Sequence, residues 1–196
     1  MKNENQIKVH AVMIPPFDSI PEVDFSGGFN PALLKDGWGI GGYNERRENM
    51  YIAPQYKNER NIHMGVDIWA PIGEPVYAPA DGIVAYTANH DEAGNYGGTI
   101  VLRHLFKGRE LFALYGHLSL HSLNISQPGK NVMAGERIGW LGDESENGNW
   151  HPHLHYQLSF SDPEEADMPG VVSEKEREAA LKRYPDPEKI FELLYC

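Results

Sequence analysis

Between residues 49 and 161 the chain is cut into short apolar stretches, each closed by glycine, proline or an Asp–Gly pair. Stretches of that length, bounded by turn residues, predict strands rather than helices. Val66-Asp67-Ile68-Trp69-Ala70 is one, closed by Pro71-Ile72-Gly73. Val76-Tyr77-Ala78 runs into the turn Pro79-Ala80-Asp81-Gly82 and resumes from Ile83 to Thr87. Thr99 to Phe106 and Glu110 to Gly116 flank Lys107-Gly108-Arg109, a hairpin with glycine in its loop. Arg137 to Gly142 and His155 to Phe160 are the last strands of the block. The 20 glycines and 14 prolines of the 196 residues fit the same β-rich reading.

A weak internal echo sharpens it. Val76 to Val84 and Val132 to Gly139 share one scheme: apolar, small, a turn with glycine, apolar again. The expected fold is all-β, a duplicated hybrid motif of barrel-sandwich-like antiparallel type. Residues 1–48 form a short irregular N-terminal extension, punctuated by Pro15-Pro16, Pro21 and Gly27-Gly28, with Trp38 to Tyr43 as an edge strand or packed loop. Residues 49–161 form the main domain, and 162–196 a loop and helical tail. Helices are expected only in that tail. Ser173 to Glu176 is a capping-box pattern before EREAALKR. Asp186-Pro187 resembles an N-cap with proline at the first helical position, opening a helix with Ile190, Phe191 and Leu194 on one face.

Charge and cysteine usage narrow the partners. A formal net charge of −11 argues against nucleic acid, which asks for a basic patch, and against an anionic membrane surface. The single cysteine, Cys196, allows neither an internal disulfide nor a cysteine-based zinc cluster. The N-terminal apolar run is too short for a signal-peptide core of roughly seven to fifteen residues. No stretch approaches the roughly 20 apolar residues of a membrane helix. The expected location is cytoplasmic, or extracytoplasmic if the chain is a processed form.

Histidine placement carries the chemistry. His153-Leu154-His155 puts two imidazoles on one face of a strand, where residues two apart point the same way. Such a pair can converge on one metal ion with zinc–nitrogen bonds of about 2.0–2.1 Å. His63-Met64-Gly65-Val66-Asp67 spans too much straight strand for both ends to bind one ion. Gly65 is expected to relieve this by adopting backbone angles closed to other residues. His117 stands alone after a strand, in Tyr115-Gly116-His117-Leu118. His104, mid-strand, reads as structural or as a residue that orients another histidine. His10, His90 and His121 read as surface residues, and His151 as lining a cleft without being a ligand.

Together these fragments resemble the lysostaphin-like, β-lytic zinc metallopeptidases, a family of murein endopeptidases. The match covers about residues 56 to 160. HMGVDIWAPIGEPVYAPADGIV resembles the first family signature, LFALYGHLS the central one and HPHLHYQL the last. The resemblance implies zinc as cofactor, with His63, Asp67 and His155 as its ligands and His117 and His153 as catalytic histidines. It implies hydrolysis of a peptide bond, in peptidoglycan or a related peptide. The physics is compatible: one carboxylate leaves a zinc site net positive, and zinc can bring the pKa of a water to about 7. One histidine would take the proton, and the other would help stabilise the oxyanion or protonate the leaving amine. The sequence leaves the order open. Tyr56 or Tyr51 would stabilise the oxyanion, as a tyrosine does in some members. Asn44 is the residue here that could cross the zinc, as an asparagine does in members with an inhibitory pro-segment. The tail resembles a subgroup fused to other enzyme domains. Against the family pattern, neither an export signal nor a wall-anchoring domain is visible.

Two alternatives share the fold. A sugar-phosphotransferase carrier holds phosphate on a histidine, but there the histidine run follows the turn that His63 here precedes, and HxH has no role. A non-catalytic regulatory module would bind zinc or a partner without turnover, yet this chain keeps every residue of the constellation.

Overall fold

A computed structural model describes residues 10–56, 59–106 and 108–189. Its elements in chain order are β1 (Gly39–Gly41), β2 (Ile62–His63), β3 (Val66–Trp69), β4 (Pro75–Tyr77), β5 (Gly82–His90), β6 (Gly97–Phe106), β7 (Arg109–Leu118), α1 (Leu120–Ile125), β8 (Asn131–Val132), β9 (Arg137–Trp140), β10 (His153–Ser159), β11 (Val171–Val172) and α2 (Arg177–Arg183). Seven strands make one antiparallel sheet in the order β1-β3-β10-β7-β6-β5-β8. Two ribbons, β2 with β11 and β4 with β9, complete an all-β domain.

The two echoing segments meet. Val76 on β4 pairs with Gly139 on β9, and Gly82 on β5 pairs with Val132 on β8, both antiparallel. Between them Gly135 N donates to Ala78 O at 2.9 Å and Ala78 N donates to Glu136 O at 2.9 Å. Each half therefore completes the other's pairing across the two turns.

Side-chain alternation sorts the central strands onto two faces. Ile100 and Leu102 on β6, Ala113 and Tyr115 on β7, and Leu154, Tyr156 and Leu158 on β10 enter the main core together with Val66 and Ile68 of β3. Val101, Phe112 and Leu114 enter a second cluster with Ile62 and Met64. The sheet is buried on both faces here, which explains its near-continuous apolar runs.

Two expectations need correction or completion. Helices are not confined to the tail: α1 lies inside the domain. It is only six residues long, too short to show a helical period, and buried Ser122 anchors it by accepting from Trp140 N at 2.9 Å. In the tail, Ser173 N donates to Glu176 Oε2 at 2.9 Å as half of the capping box, and α2 begins just after it. Asp186 Oδ1 accepts from Glu188 N at 3.0 Å in the manner of an N-cap. Ile190, Phe191, Leu194 and Cys196 lie outside the described residues. Among the described residues no helix is long and apolar enough to cross a membrane.

Candidate metal centre

Strand parity delivers most of the site. With Val66 and Ile68 in the main core, Asp67 and Trp69 of β3 face the other way. With Leu154 and Tyr156 in the core, His153 and His155 of β10 do the same. The register pairs His155 with Asp67 and His153 with Trp69, so the two strands present one surface.

His117 reaches that surface by an irregularity. Alternation along β7 would send it with Ala113 and Tyr115 into the core. Instead the register against β6 slips between Gly98 and Ile100, leaving an extra residue on β7. His117 has φ +64°, a left-handed value uncommon outside glycine. Leu118 then enters the core in its place. A bulge of this kind re-aims one side chain.

His63 comes from a different ribbon. β2 pairs with β11 while β3 joins the main sheet, so the chain turns between His63 and Asp67. Gly65 is needed there, but not for unusual backbone angles: it is absent from the glycines with positive φ. Its reason is space. A Cβ at Gly65 would sit 2.7 Å from His155 Cε1 and 2.8 Å from Tyr156 O. That corrects the expectation of a conformational kink.

Three donor atoms converge. His63 Nε2 lies 3.0 Å from His155 Nδ1 and 3.2 Å from Asp67 Oδ1, and His155 Nδ1 lies 3.1 Å from the same oxygen. Hydrogen bonds assign the protons. His63 Nδ1 donates to Gly42 O at 3.1 Å, and His155 Nε2 donates to Gln157 Oε1 at 2.9 Å. The two facing nitrogens are therefore both lone-pair acceptors, beside a carboxylate, with no proton between them. Such a cluster suits a cation between its members. Its separations are within a few tenths of an ångström of the about 3.3 Å that tetrahedral ligands need at zinc–nitrogen distances of about 2.0–2.1 Å. All three residues are buried, and they are the group of potential metal ligands found among the described residues. The donor set fits zinc.

His117 and His153 stand beside this cluster, with ring centroids 4.3 Å apart. His117 Nδ1 donates to Asn147 O at 2.9 Å and His153 Nδ1 to His151 O at 2.6 Å. Each keeps Nε2 as an acceptor. Asn147 is itself fixed, donating to Trp150 O at 2.9 Å and accepting from Trp150 N at 3.0 Å.

Burial and charge set the protonation states. Burial, reinforced by the Arg47 guanidinium, pushes His63 down to about 4. Burial lowers His153 as well, and burial with the neighbouring His153 holds His117 well below its ordinary value. For Asp67 burial opposes ionisation, but His63 and Arg47 outweigh it and keep the carboxyl well below its usual range. At neutral pH His63, His117 and His153 are thus neutral imidazoles near one carboxylate.

Arg47 is the residue the sequence did not reveal. Its Nη1 lies 2.5 Å from Asp67 Oδ2. It sits in the charge run Glu45-Arg46-Arg47, which on its face reads as solvated surface. Gln157 and Asn147 were also unsignalled, and only the parity of Gln157 with His155 hints at it.

Other expected residues lie elsewhere. His104 orients no histidine: it is buried on β6 and its Nδ1 donates to Asp81 O at 3.0 Å. Asn44 does not reach the ligands, because its Oδ1 accepts from Arg177 Nε at 2.8 Å. His90 is half-buried and donates to Ala166 O at 2.9 Å. His10 packs by Tyr77 and His121 by Trp140. His151 is exposed on the cleft wall. Tyr51 and Tyr56 both line the cleft, but the Tyr56 hydroxyl donates to Gly94 O. Tyr51 accepts from Arg47 Nη1 at 3.2 Å and gives its own hydroxyl hydrogen to no acceptor among the described residues.

The cleft above the cluster measures about 580 Å³. Phe29 from the extension and Met50 and Tyr51 just after it line one part of it, and Asp167 to Val171 from the tail another.

The profile described as Peptidase family M23 matches residues 61–167, more than half of the chain. The chain is similar to the peptidoglycan DD-endopeptidase ShyA of Vibrio cholerae, 41% identical over 96 residues that make up 49% of this chain and 20% of that protein. It is similar to the DD-carboxypeptidase/endopeptidase Mpg of Neisseria meningitidis, 38% identical over 100 residues, 51% of this chain and 20% of that one. It therefore spans about a fifth of the length of these relatives. Among solved structures, the catalytic domain of lysostaphin from Staphylococcus simulans aligns with a TM-score of 0.48 and 25% identity, covering 69% of this chain and 88% of that one.

Proposed function

This chain belongs to peptidase family M23, and on that premise we propose that it is a zinc-dependent endopeptidase acting on peptide bonds of peptidoglycan. The observation that carries this is the convergence of two imidazole nitrogens and one carboxylate oxygen, all within 3.2 Å of one another. His63 Nε2, Asp67 Oδ1 and His155 Nδ1 would hold the metal. When bound, zinc supplies Lewis acidity, which brings water to a pKa of about 7 and polarises a carbonyl.

The remaining steps belong to side chains. His117 and His153, kept neutral by burial, offer Nε2 as proton acceptors. Their Nδ1–H groups are anchored on backbone carbonyls, so neither ring needs to turn during the reaction. A proton taken from the attacking water at one Nε2 is returned to the departing amine from the same pair. Tyr51, with a free hydroxyl hydrogen, is better placed than Tyr56 to donate to a developing oxyanion.

The phosphocarrier alternative loses ground because His63 is 1% exposed and its free nitrogen faces His155. A phosphate-accepting histidine must be reachable. Similarity to proteins named as peptidoglycan endopeptidases supports the substrate. A peptidoglycan substrate places the reaction outside the cytoplasmic membrane, the second of the two locations the sequence allows.

The test separates ligands from proton carriers. Asp67→Ala and His155→Ala are expected to lose zinc, measured by metal analysis of purified protein. His117→Ala and His153→Ala are expected to keep zinc while turnover of peptidoglycan falls by roughly 10²–10⁴-fold. Full zinc in the first pair, or full activity in the second, would refute the assignment.

A further inference from the structure

The matched family region begins at residue 61, yet a charged contact to the metal cluster comes from before it. Residues 44–47 run antiparallel beside β2. Asn44 N donates to His63 O at 2.8 Å, His63 N to Glu45 O at 2.9 Å and Arg47 N to Asn61 O at 2.8 Å. This pairing carries Arg47 under the cluster, where it is 1% exposed. Its guanidinium is divided between two carboxylates. Nη1 lies 2.5 Å from Asp67 Oδ2, and Nε lies 2.5 Å from Glu45 Oε2, whose other oxygen accepts from Phe25 N at 3.2 Å. The Trp69 ring lies 5.6 Å from Arg47 Cζ. Nη2 is buried with no hydrogen-bond partner among the described residues.

Glu45 alone would neutralise Arg47. The second contact does something neutralisation does not require: it divides the two oxygens of Asp67 between two tasks. Oδ1 faces His63, His155 and, at 3.8 Å, His153. Among the described residues Oδ2 is bound by Arg47. A carboxylate can ligate a metal through one oxygen or both, and a charge-assisted hydrogen bond of this length fixes the choice. We propose that Arg47 is a positioning residue that holds Asp67 Oδ2 and so limits Asp67 to a single bond to the metal through Oδ1. The N-terminal segment thereby sets the coordination number of the centre and keeps a position open for water and substrate. This rests on the metal-site reading above, and it concerns how the ligand binds, not whether it does.

The test is cobalt(II) substitution followed by visible absorption, with zinc stoichiometry and peptidoglycan turnover measured alongside. Wild-type protein is expected to take up one cobalt ion and show the intense bands of four-coordination. In Arg47→Met both oxygens of Asp67 become available, so the bands are expected to weaken toward those of higher coordination. Turnover is expected to fall roughly 10–100-fold with zinc stoichiometry unchanged. Arg47→Lys, whose ammonium can still hold Oδ2, is expected to recover the wild-type spectrum in large part. If Arg47→Met does not fold, Arg47→Gln suits the polar surroundings and makes the same comparison. A wild-type spectrum in Arg47→Met or Arg47→Gln would overturn the inference. So would weak, high-coordination bands in the wild type, without any variant. A wild type that takes up neither zinc nor cobalt would overturn the metal reading first, and this inference with it.

Discussion

At the scale of single residues, Gly65 shows how little room the centre leaves. An alanine there brings its Cβ to 2.7 Å from the His155 ring and 2.8 Å from Tyr156 O. The carbonyl belongs to β10 and cannot give, so the imidazole must. Gly65→Ala is expected to cost about 1–3 kcal/mol of stability, the usual range for overpacking a filled site. It is also expected to weaken zinc binding. Thermal unfolding and a zinc titration check both, and unaltered zinc affinity would mean that His155 is not held as described. That His153 and His155 share a face was legible in the sequence because alternation on a strand is strict, whereas Asp67 was read from the family resemblance. Arg47 was not legible: a buried arginine between two carboxylates looks, as letters, like any surface charge run. Only its partners twenty residues away and two residues away distinguish it.

At the scale of elements, β7 explains why His117 resisted the same reading. Parity puts it in the core, and one extra residue at the bulge puts it in the cleft. A bulge leaves no clear mark in composition, although Gly116 directly before the histidine is compatible with one. The hairpin of β6 and β7 and the echo of the two segments were legible, because turn residues and repeated patterns announce themselves; that the two segments pair with each other was not. α1, at six residues, did not. His104 illustrates an element-level coupling away from the site. It sits on β6 against Gly82 of β5, with Nε2 buried and unpaired in the described structure. Burial lowers its pKa below the ordinary 6.5, which the unfolded chain retains. Below pH 6.5 the unfolded state therefore binds a proton that the folded state refuses, and stability falls as pH falls toward the folded pKa. Above 6.5 neither state is protonated and the effect vanishes. His104→Gln is expected to flatten this part of the acid limb in denaturant unfolding between pH 7 and the onset of acid unfolding. An unchanged slope would place the proton uptake elsewhere.

At the scale of the whole molecule, the sheet supplies ligands and the flanking segments supply walls. β3, β7 and β10 hold Asp67, His117, His153 and His155 on one face, while the opposite face fills the main core. The extension adds Gly42 O to His63, Arg47 to Asp67 and the Phe29 ring to the cleft. The tail closes the other side and pairs β11 with the strand that carries His63. The extension's part of this lies before residue 61, where the match to the family profile begins. The central claim is that these parts together make a metal-dependent peptide hydrolase. Its most direct measurement is digestion of purified peptidoglycan, with the released peptides identified by mass spectrometry. Cleavage of a peptide bond that stops on adding chelator and returns with zinc is the predicted result. Intact peptidoglycan after incubation with zinc-loaded protein, or cleavage indifferent to chelator, would contradict it.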